Sequence, residues 1–82
     1  MTALREDIRQ WFREGVSAGC THMIVMCDTF SFENYPVYVF PDKDAREIAK
    51  KHSKASLQKM EEVYNLKLDR EKQLSSPRVM NF

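Results

Sequence analysis

The chain has 82 residues, with 13 basic and 12 acidic side chains and a formal net charge of +1. This length predicts one domain whose small core gains stability from self-association, so we expect a homo-oligomer. The balanced charge argues against a nucleic-acid-binding protein, and no apolar run approaches the roughly 20 residues of a membrane-spanning helix. Because the first residues also lack the apolar region of a signal peptide, we expect a cytoplasmic protein without membrane contact.

The first predicted element is an amphipathic helix between Thr2 and Ala18. Its apolar side chains recur at helical spacing. They are Leu4, Ile8, Trp11 and Phe12. Thr2 is a candidate N-cap, and Gly19 stands where a left-handed C-terminal cap is common. Gly15 lies on the apolar face, where the absence of a side chain permits close approach of another backbone, and we interpret it as the contact point of the next element.

The segment after this helix is typical of a β-hairpin. Two apolar runs, Met23–Cys27 and Val37–Phe40, flank a polar and aromatic-rich tip between Phe30 and Tyr35. The first run is apolar on both faces of a strand, so helices or a partner subunit must cover both faces. Pro36 and Pro41 bracket the second strand, which is compatible with an edge position.

Two or three helices are predicted after the hairpin, which gives an α+β fold in a single domain of residues 1–82. Asp42 or Asp44 can cap the first of them. One face of that helix then carries Ala45, Ile48, Ala49 and His52. A second helical stripe follows and is predicted to end near Asn65. It consists of Leu57, Met60, Val63 and Tyr64. The polar residues 52–56 favour a break between two helices over one long helix, and residues 76–82 could form an extended tail.

The tip of the predicted hairpin is the first candidate site. Phe30, Phe32 and Tyr35 present more aromatic surface than a turn requires, and Glu33 lies among them. Aromatic side chains contribute much of the energy of protein contacts, so these four residues are predicted to bind a partner protein. An alternative fits the same pattern, in which two of the aromatic rings close the core.

Two basic clusters form the second candidate site, one on each of the first two predicted helices. The side chains are Arg5, Arg9, Arg13, Lys50, Lys51 and Lys54. Arginine pairs with phosphate through two hydrogen bonds and stacks on bases, so an oligomer could bind a nucleotide signal here. Acidic neighbours can neutralise the arginine row, and a solvated helix face is the alternative.

The sequence contains no cofactor or catalytic fingerprint. With two glycines it has no glycine-rich phosphate loop. Cys20 and Cys27 lack metal-ligand spacing with either histidine, and we expect two free thiols and no resident metal. A non-enzymatic function is therefore predicted. A metal-dependent phosphodiester-cleaving enzyme that uses Asp28 and Glu33 is the second alternative.

Three stretches, Gly19–Phe30, Glu33–Val39 and Met60–Leu66, resemble small bacteriophage and prophage proteins of unassigned function. The likeness extends over most of the chain and includes the ending Arg78–Phe82, but Ser53–Ser56 stands where an Asn-Gly junction is expected. That family carries no catalytic residues to transfer. The resemblance implies a phage-encoded protein that works in the host cytoplasm by binding a host protein, for example to inhibit a host defence system.

Overall fold

The computed structural model describes residues 5–54 and 58–82, which form one sheet with helices on both of its faces. The elements in chain order are α1 (Arg5–Ser17), β1 (His22–Asp28), β2 (Glu33–Val39), α2 (Ala45–Ser53), β3 (Gln58–Asn65) and α3 (Arg70–Leu74). The predicted α+β fold, with an N-terminal helix, a hairpin and further helices after it, is confirmed. No helix in these described ranges is both long enough and apolar enough to cross a membrane.

The sheet has three antiparallel strands in the order β2-β1-β3, so β1 lies at its centre. In the hairpin, His22 pairs with Val39 and Asp28 pairs with Glu33. The second strand therefore begins earlier than expected, and Pro36 lies inside β2 and not before it. Because β2 is an edge strand, the missing N–H of Pro36 can face away from the ladder, which makes this position tolerable.

The prediction of a helix over residues 57–65 is wrong, because residues 58–65 form the strand β3. Met26 pairs with Met60 and Val25 with Glu62, which leaves Glu61 as one extra residue at a β-bulge. The bulge brings Met60 and Val63 to the same face of the sheet although they are three residues apart. Three-residue spacing imitates a helix, and Leu57 of the same stripe lies outside the described residues.

The side chains of β1 are buried on both faces of the sheet, as its apolar sequence predicts. Met23 and Val25 belong to a cluster beneath α1 and α3. Ile24 and Met26 belong to a second cluster beneath α2. The other buried members of the first cluster are Ile8, Phe12, Cys20, Tyr64, Leu66, Leu74 and Val79. Helices of the same chain therefore cover both faces, and no partner subunit is needed for that purpose.

At Gly15 the helix α1 packs closely against side chains of the sheet region. A Cβ atom at this position would lie 2.7 Å from Leu66 Cδ1 and 3.0 Å from Tyr38 Cε1. Tyr38 belongs to β2, so Gly15 contacts the hairpin as interpreted, but its nearest neighbours are side-chain atoms and not the backbone that was expected. Gly19 has φ +80° and ends the helix in the predicted left-handed conformation, whereas the proposed N-cap Thr2 lies outside the described residues.

The C-terminal segment runs along the outer edge of β3. The Val63 amide donates to the Val79 carbonyl (2.8 Å), and the Asn81 amide donates to the Val63 carbonyl (2.9 Å). The ring of Phe82 packs against the cluster beneath α2, with the Arg46 guanidinium 4.8 Å from its centroid. The predicted extended tail is thus tied to the sheet by backbone hydrogen bonds and by one aromatic contact.

Candidate functional site

The tip of the β1–β2 hairpin is a tight turn of four residues, 29–32, which we call the aromatic tip. The Asp28 carboxylate accepts hydrogen bonds from the amides of Phe30 (2.8 Å) and Ser31 (3.3 Å). The Phe32 amide donates to the Asp28 carbonyl at 2.6 Å. An Asp side chain that bonds to the backbone two and three residues further on stabilises a turn, so these hydrogen bonds favour the observed conformation of the tip.

Phe32 adopts a left-handed backbone conformation with φ 59°, and it is the only non-glycine residue with positive φ in the described ranges. This conformation costs a side chain other than glycine about 1–2 kcal/mol, because Cβ approaches the carbonyl oxygen. A bulky aromatic residue is among the least suited to it. The chain therefore carries a local conformational cost at a position where its phenylalanine is also exposed.

The four predicted partner-binding residues differ in exposure. Phe30 is 79% exposed and Phe32 is 60% exposed, and the neighbouring Glu33 is exposed as well. Tyr35 is half-buried and packs against the cluster beneath α2. Burial raises the pKa of the Tyr35 hydroxyl, and the nearby Asp28 charge adds to this effect. Three of the four residues are therefore displayed at the tip, whereas Tyr35 anchors the hairpin to the core.

The arginine row of α1 is partly occupied by an ion pair. Arg9 Nη2 lies 2.8 Å from Glu71 Oε1, and Arg9 Nε contacts both carboxylate oxygens at 3.2 and 3.3 Å. Glu71 also accepts from Arg70 Nε at 2.9 Å. Its hydrogen bonds with Arg9 and Arg70 lower the pKa of the exposed Glu71 carboxyl. This ion pair connects α1 to α3, and the Arg5 side chain lies outside the described residues.

A groove of about 390 Å³ lies between α1 and α3, and we call it the α1/α3 groove. It is lined by Phe12, Arg13, Val16, Asp69, Arg70 and Glu71. Val16 is 51% exposed although it is apolar. Arg13 is also exposed, and it forms no ion pair with any residue in 5–54 or 58–82. The groove therefore combines an apolar wall with an available cation, and it includes α3 residues that the sequence analysis did not select.

The lysine cluster lies on α2, on the other face of the sheet from the arginine row. Lys50, Lys51 and Lys54 are all exposed near the C-terminal end of the helix. A cation in the last turn interacts favourably with the helix dipole, which gives these side chains a structural role. The two basic clusters therefore do not combine into one site within a single chain.

The two cysteines are free thiols, as expected, and burial raises the pKa of the Cys20 thiol. In the described parts of the chain, no three side chains among His, Cys, Asp and Glu are grouped so that they could hold a metal ion. Asp28 and Glu33, the carboxylates of the metal-dependent enzyme that is the second alternative, are cross-strand partners at the tip end of the hairpin. The carboxylate of Asp28 is used to cap the turn.

His22 occupies the start of β1. Its Nδ1 atom lies 2.9 Å from Thr21 Oγ1, and its buried Nε2 atom has no hydrogen-bond partner in the described structure. Burial lowers the pKa of His22, and the positive charge of Lys67 lowers it further. Both effects favour the neutral imidazole in the folded chain.

Comparisons of the chain with protein-family models, with curated proteins and with solved structures found no match. The candidate binding surfaces of the described residues are therefore the aromatic tip and the α1/α3 groove.

Proposed function

We propose that this chain is a non-enzymatic binding protein that inserts the aromatic tip into an apolar pocket of another protein. The observation that carries the proposal is Phe32, an exposed aromatic side chain on a left-handed backbone. Glycine or asparagine would adopt this conformation at a lower cost. Strained residues concentrate at ligand-binding sites, and an exposed phenylalanine in this conformation is consistent with use of its ring outside the chain's own core.

Burial of the two exposed rings of the aromatic tip would contribute measurably to binding. Full burial of a phenylalanine side chain contributes about 1.5–3 kcal/mol, and Phe30 and Phe32 are 79% and 60% exposed. Each ring therefore offers about 1–2 kcal/mol on binding, which corresponds to roughly tenfold in affinity. The turn extends from the central strand and is fixed by the Asp28 side chain, so little ordering entropy is lost when it docks.

The resemblance to small phage proteins supports a host protein as the partner, and we propose a component of a host defence system that is inhibited by the contact. A phage-encoded binder acts in the host cytoplasm. An inhibitor of this kind needs no catalytic group, because occupation of a functional surface on the host protein is enough.

The test is a comparison of three variants in a host-protein binding assay. The chain is immobilised, and retained host proteins are purified and titrated by calorimetry. Phe30→Ala and Phe32→Gly should each weaken binding about tenfold. Phe40→Ala is the matched control, because Phe40 is also an exposed phenylalanine (47%) but lies past the opposite end of β2. Equal binding by all three variants, or no retained host protein, would contradict the proposal.

Nucleotide sequestration is a second candidate function. It is favoured by Arg13, which is exposed beside the α1/α3 groove without an ion pair among the described residues. Arg13 and Arg70 could contact phosphate while a base packs on Val16. Calorimetry with a panel of cyclic nucleotides tests this, with Arg13→Ala as the variant. The absence of binding heat for the wild-type chain would remove this candidate.

A further inference from the structure

We propose that the α1/α3 groove receives the aromatic tip of a second copy of this chain, so that copies associate head to tail. The tip half of this inference rests on the proposed function, which makes the aromatic tip a docking surface. The groove half rests on independent residues of α1 and α3.

The tip and the groove lie at opposite ends of the sheet. Leu66, in the turn that leads to the groove-lining residues of α3, donates its amide to the Thr21 carbonyl at the start of β1 (2.9 Å). The tip follows Asp28 at the other end of the same strand. Six residue steps along β1 separate these ends by about 20 Å. A chain cannot therefore place its own tip in its own groove, and the occupant must be another molecule.

The two surfaces match in size and polarity. The groove, at about 390 Å³, lies within the range of about 300–1,000 Å³ that accommodates drug-sized molecules, so aromatic rings fit within it. Val16, half-exposed on its wall, offers apolar contact to Phe30 and Phe32.

The charges at the two surfaces are also complementary. Glu33 follows Phe32 directly and is exposed at the tip. At the groove, Glu71 is already engaged by Arg9 and Arg70, which leaves Arg13 as the cation without an ion pair among the described residues. Docking of the tip would bring the Glu33 carboxylate to the Arg13 guanidinium. Opposite charges of this kind fix the register of an interface and disfavour binding of partners with a different charge pattern.

This contact joins two different surfaces, so a pair of copies still has one unoccupied tip on one copy and one unoccupied groove on the other. Such heterologous contacts produce rings if the rotation closes and open chains if it does not. Self-association would also cover the tip that binds the host protein. Assembly and partner binding would therefore compete, and dilution of the protein would release active tips.

The test is sedimentation velocity of the purified full chain over a range of concentrations. The wild-type sedimentation coefficient should rise with concentration. Phe32→Gly alters the tip and Arg13→Glu alters the groove, and each variant alone should be monomeric where the wild type associates. A mixture of the two should form a one-to-one dimer and nothing larger, because one intact tip and one intact groove remain. A symmetric contact of tip with tip, or of groove with groove, would not be restored by mixing.

A charge exchange gives a second, independent readout. Glu33→Arg alone and Arg13→Glu alone should each weaken association at least tenfold, whereas the chain that carries both changes should recover it. Phe40→Ala should associate like the wild type. Circular dichroism confirms that each variant is folded.

The inference is overturned if the wild type stays monomeric, if the mixture of variants stays monomeric, or if the double charge exchange does not restore association. These failures differ from failure of the proposed function. Arg13→Glu should still bind the host protein, since its tip is intact. A Phe32→Gly chain that loses the host protein but still self-associates would refute the groove contact alone.

Discussion

Substitution of Phe32 by glycine and by alanine should reverse the usual order of stability of these two residues. Alanine retains the left-handed cost of about 1–2 kcal/mol, whereas glycine adopts φ 59° without it. Glycine loses about 0.5–1 kcal/mol through the greater entropy of its unfolded chain. Because both variants lack the ring, its partial burial cancels in the comparison. The Phe32→Gly chain should therefore be more stable than Phe32→Ala by about 0.5–1 kcal/mol.

Phe30 provides the matched control on the same turn. It is more exposed than Phe32, and its φ is not positive. At this position alanine should be equal to or more stable than glycine, by up to about 1 kcal/mol. The sign of the glycine-minus-alanine difference should therefore change between two phenylalanines that are two residues apart.

The assay is urea denaturation of the four variants, with midpoints compared at equal denaturant slopes. Thermal unfolding gives an independent value, since 1 kcal/mol shifts the melting temperature of a domain of this size by about 4–8 °C. If Phe32→Ala is as stable as Phe32→Gly, residue 32 is not held in the left-handed conformation. The main structural support for a functional tip would then be lost.

Three further outcomes are expected. Burial lowers the pKa of His22 in the folded chain, so as the pH falls the unfolded chain protonates this histidine first. The free energy of unfolding should therefore decrease below about pH 6.5. In urea titrations, His22→Gln should flatten that slope between about pH 7 and 5. Parallel curves would contradict this assignment. Gly15→Ala should destabilise the chain by about 1–2 kcal/mol net. The added Cβ would lie 2.7 Å from Leu66 Cδ1, and the cost of this overlap should exceed the gain in helix propensity. Leu66→Ala should reduce the cost in a double-mutant cycle. Tyr38→Phe should remove hydrogen bonds to the Trp11 carbonyl and the Glu14 carboxylate and lower the free energy of unfolding by about 1 kcal/mol. Burial and Glu14 raise the pKa of Tyr38 to about 12, so the variant should also lack an absorbance transition near that pH. Retention of that transition in the variant would show that another tyrosine produces it.

Local patterns were enough to predict α1, the hairpin and α2, because each is encoded within a short window. The apolar spacing on α1 and the doubly apolar run of β1 appear in the structure as expected, and Asp44 is the one of the two proposed capping residues that caps α2. Gly15 was also informative, since a glycine on an apolar helix face indicates a close contact.

The strand β3 could not be recognised in this way. Its bulge at Glu61 replaces the two-residue alternation of a strand by a three-residue step between Met60 and Val63. The surrounding Lys and Glu residues also favour a helix locally, and pairing with the central strand overrides that preference. A prediction from periodicity alone therefore assigns this segment to the wrong class.

The candidate site was predictable only in part. Tyr35 alternates with Val37 and Val39 on one face of β2, a signal that could have placed it against the core and separated it from Phe30 and Phe32. No local pattern predicts the α1/α3 groove, because its two helices are joined by a contact between Arg9 and Glu71, which are 62 positions apart in the chain. Contacts at that separation arise from the packing of the whole chain.

The edges of the sheet have a bearing on resistance to aggregation. Exposed strand edges allow further strands to add, which is a route to amyloid-like growth. At one edge Pro36 removes a hydrogen-bond donor from the middle of β2, and at the other edge the C-terminal segment occupies both the amide and the carbonyl of Val63. Loss of that segment would leave the middle of β3 open to strand addition. The terminal residues Val79–Phe82 thus help to keep this three-stranded sheet from growing.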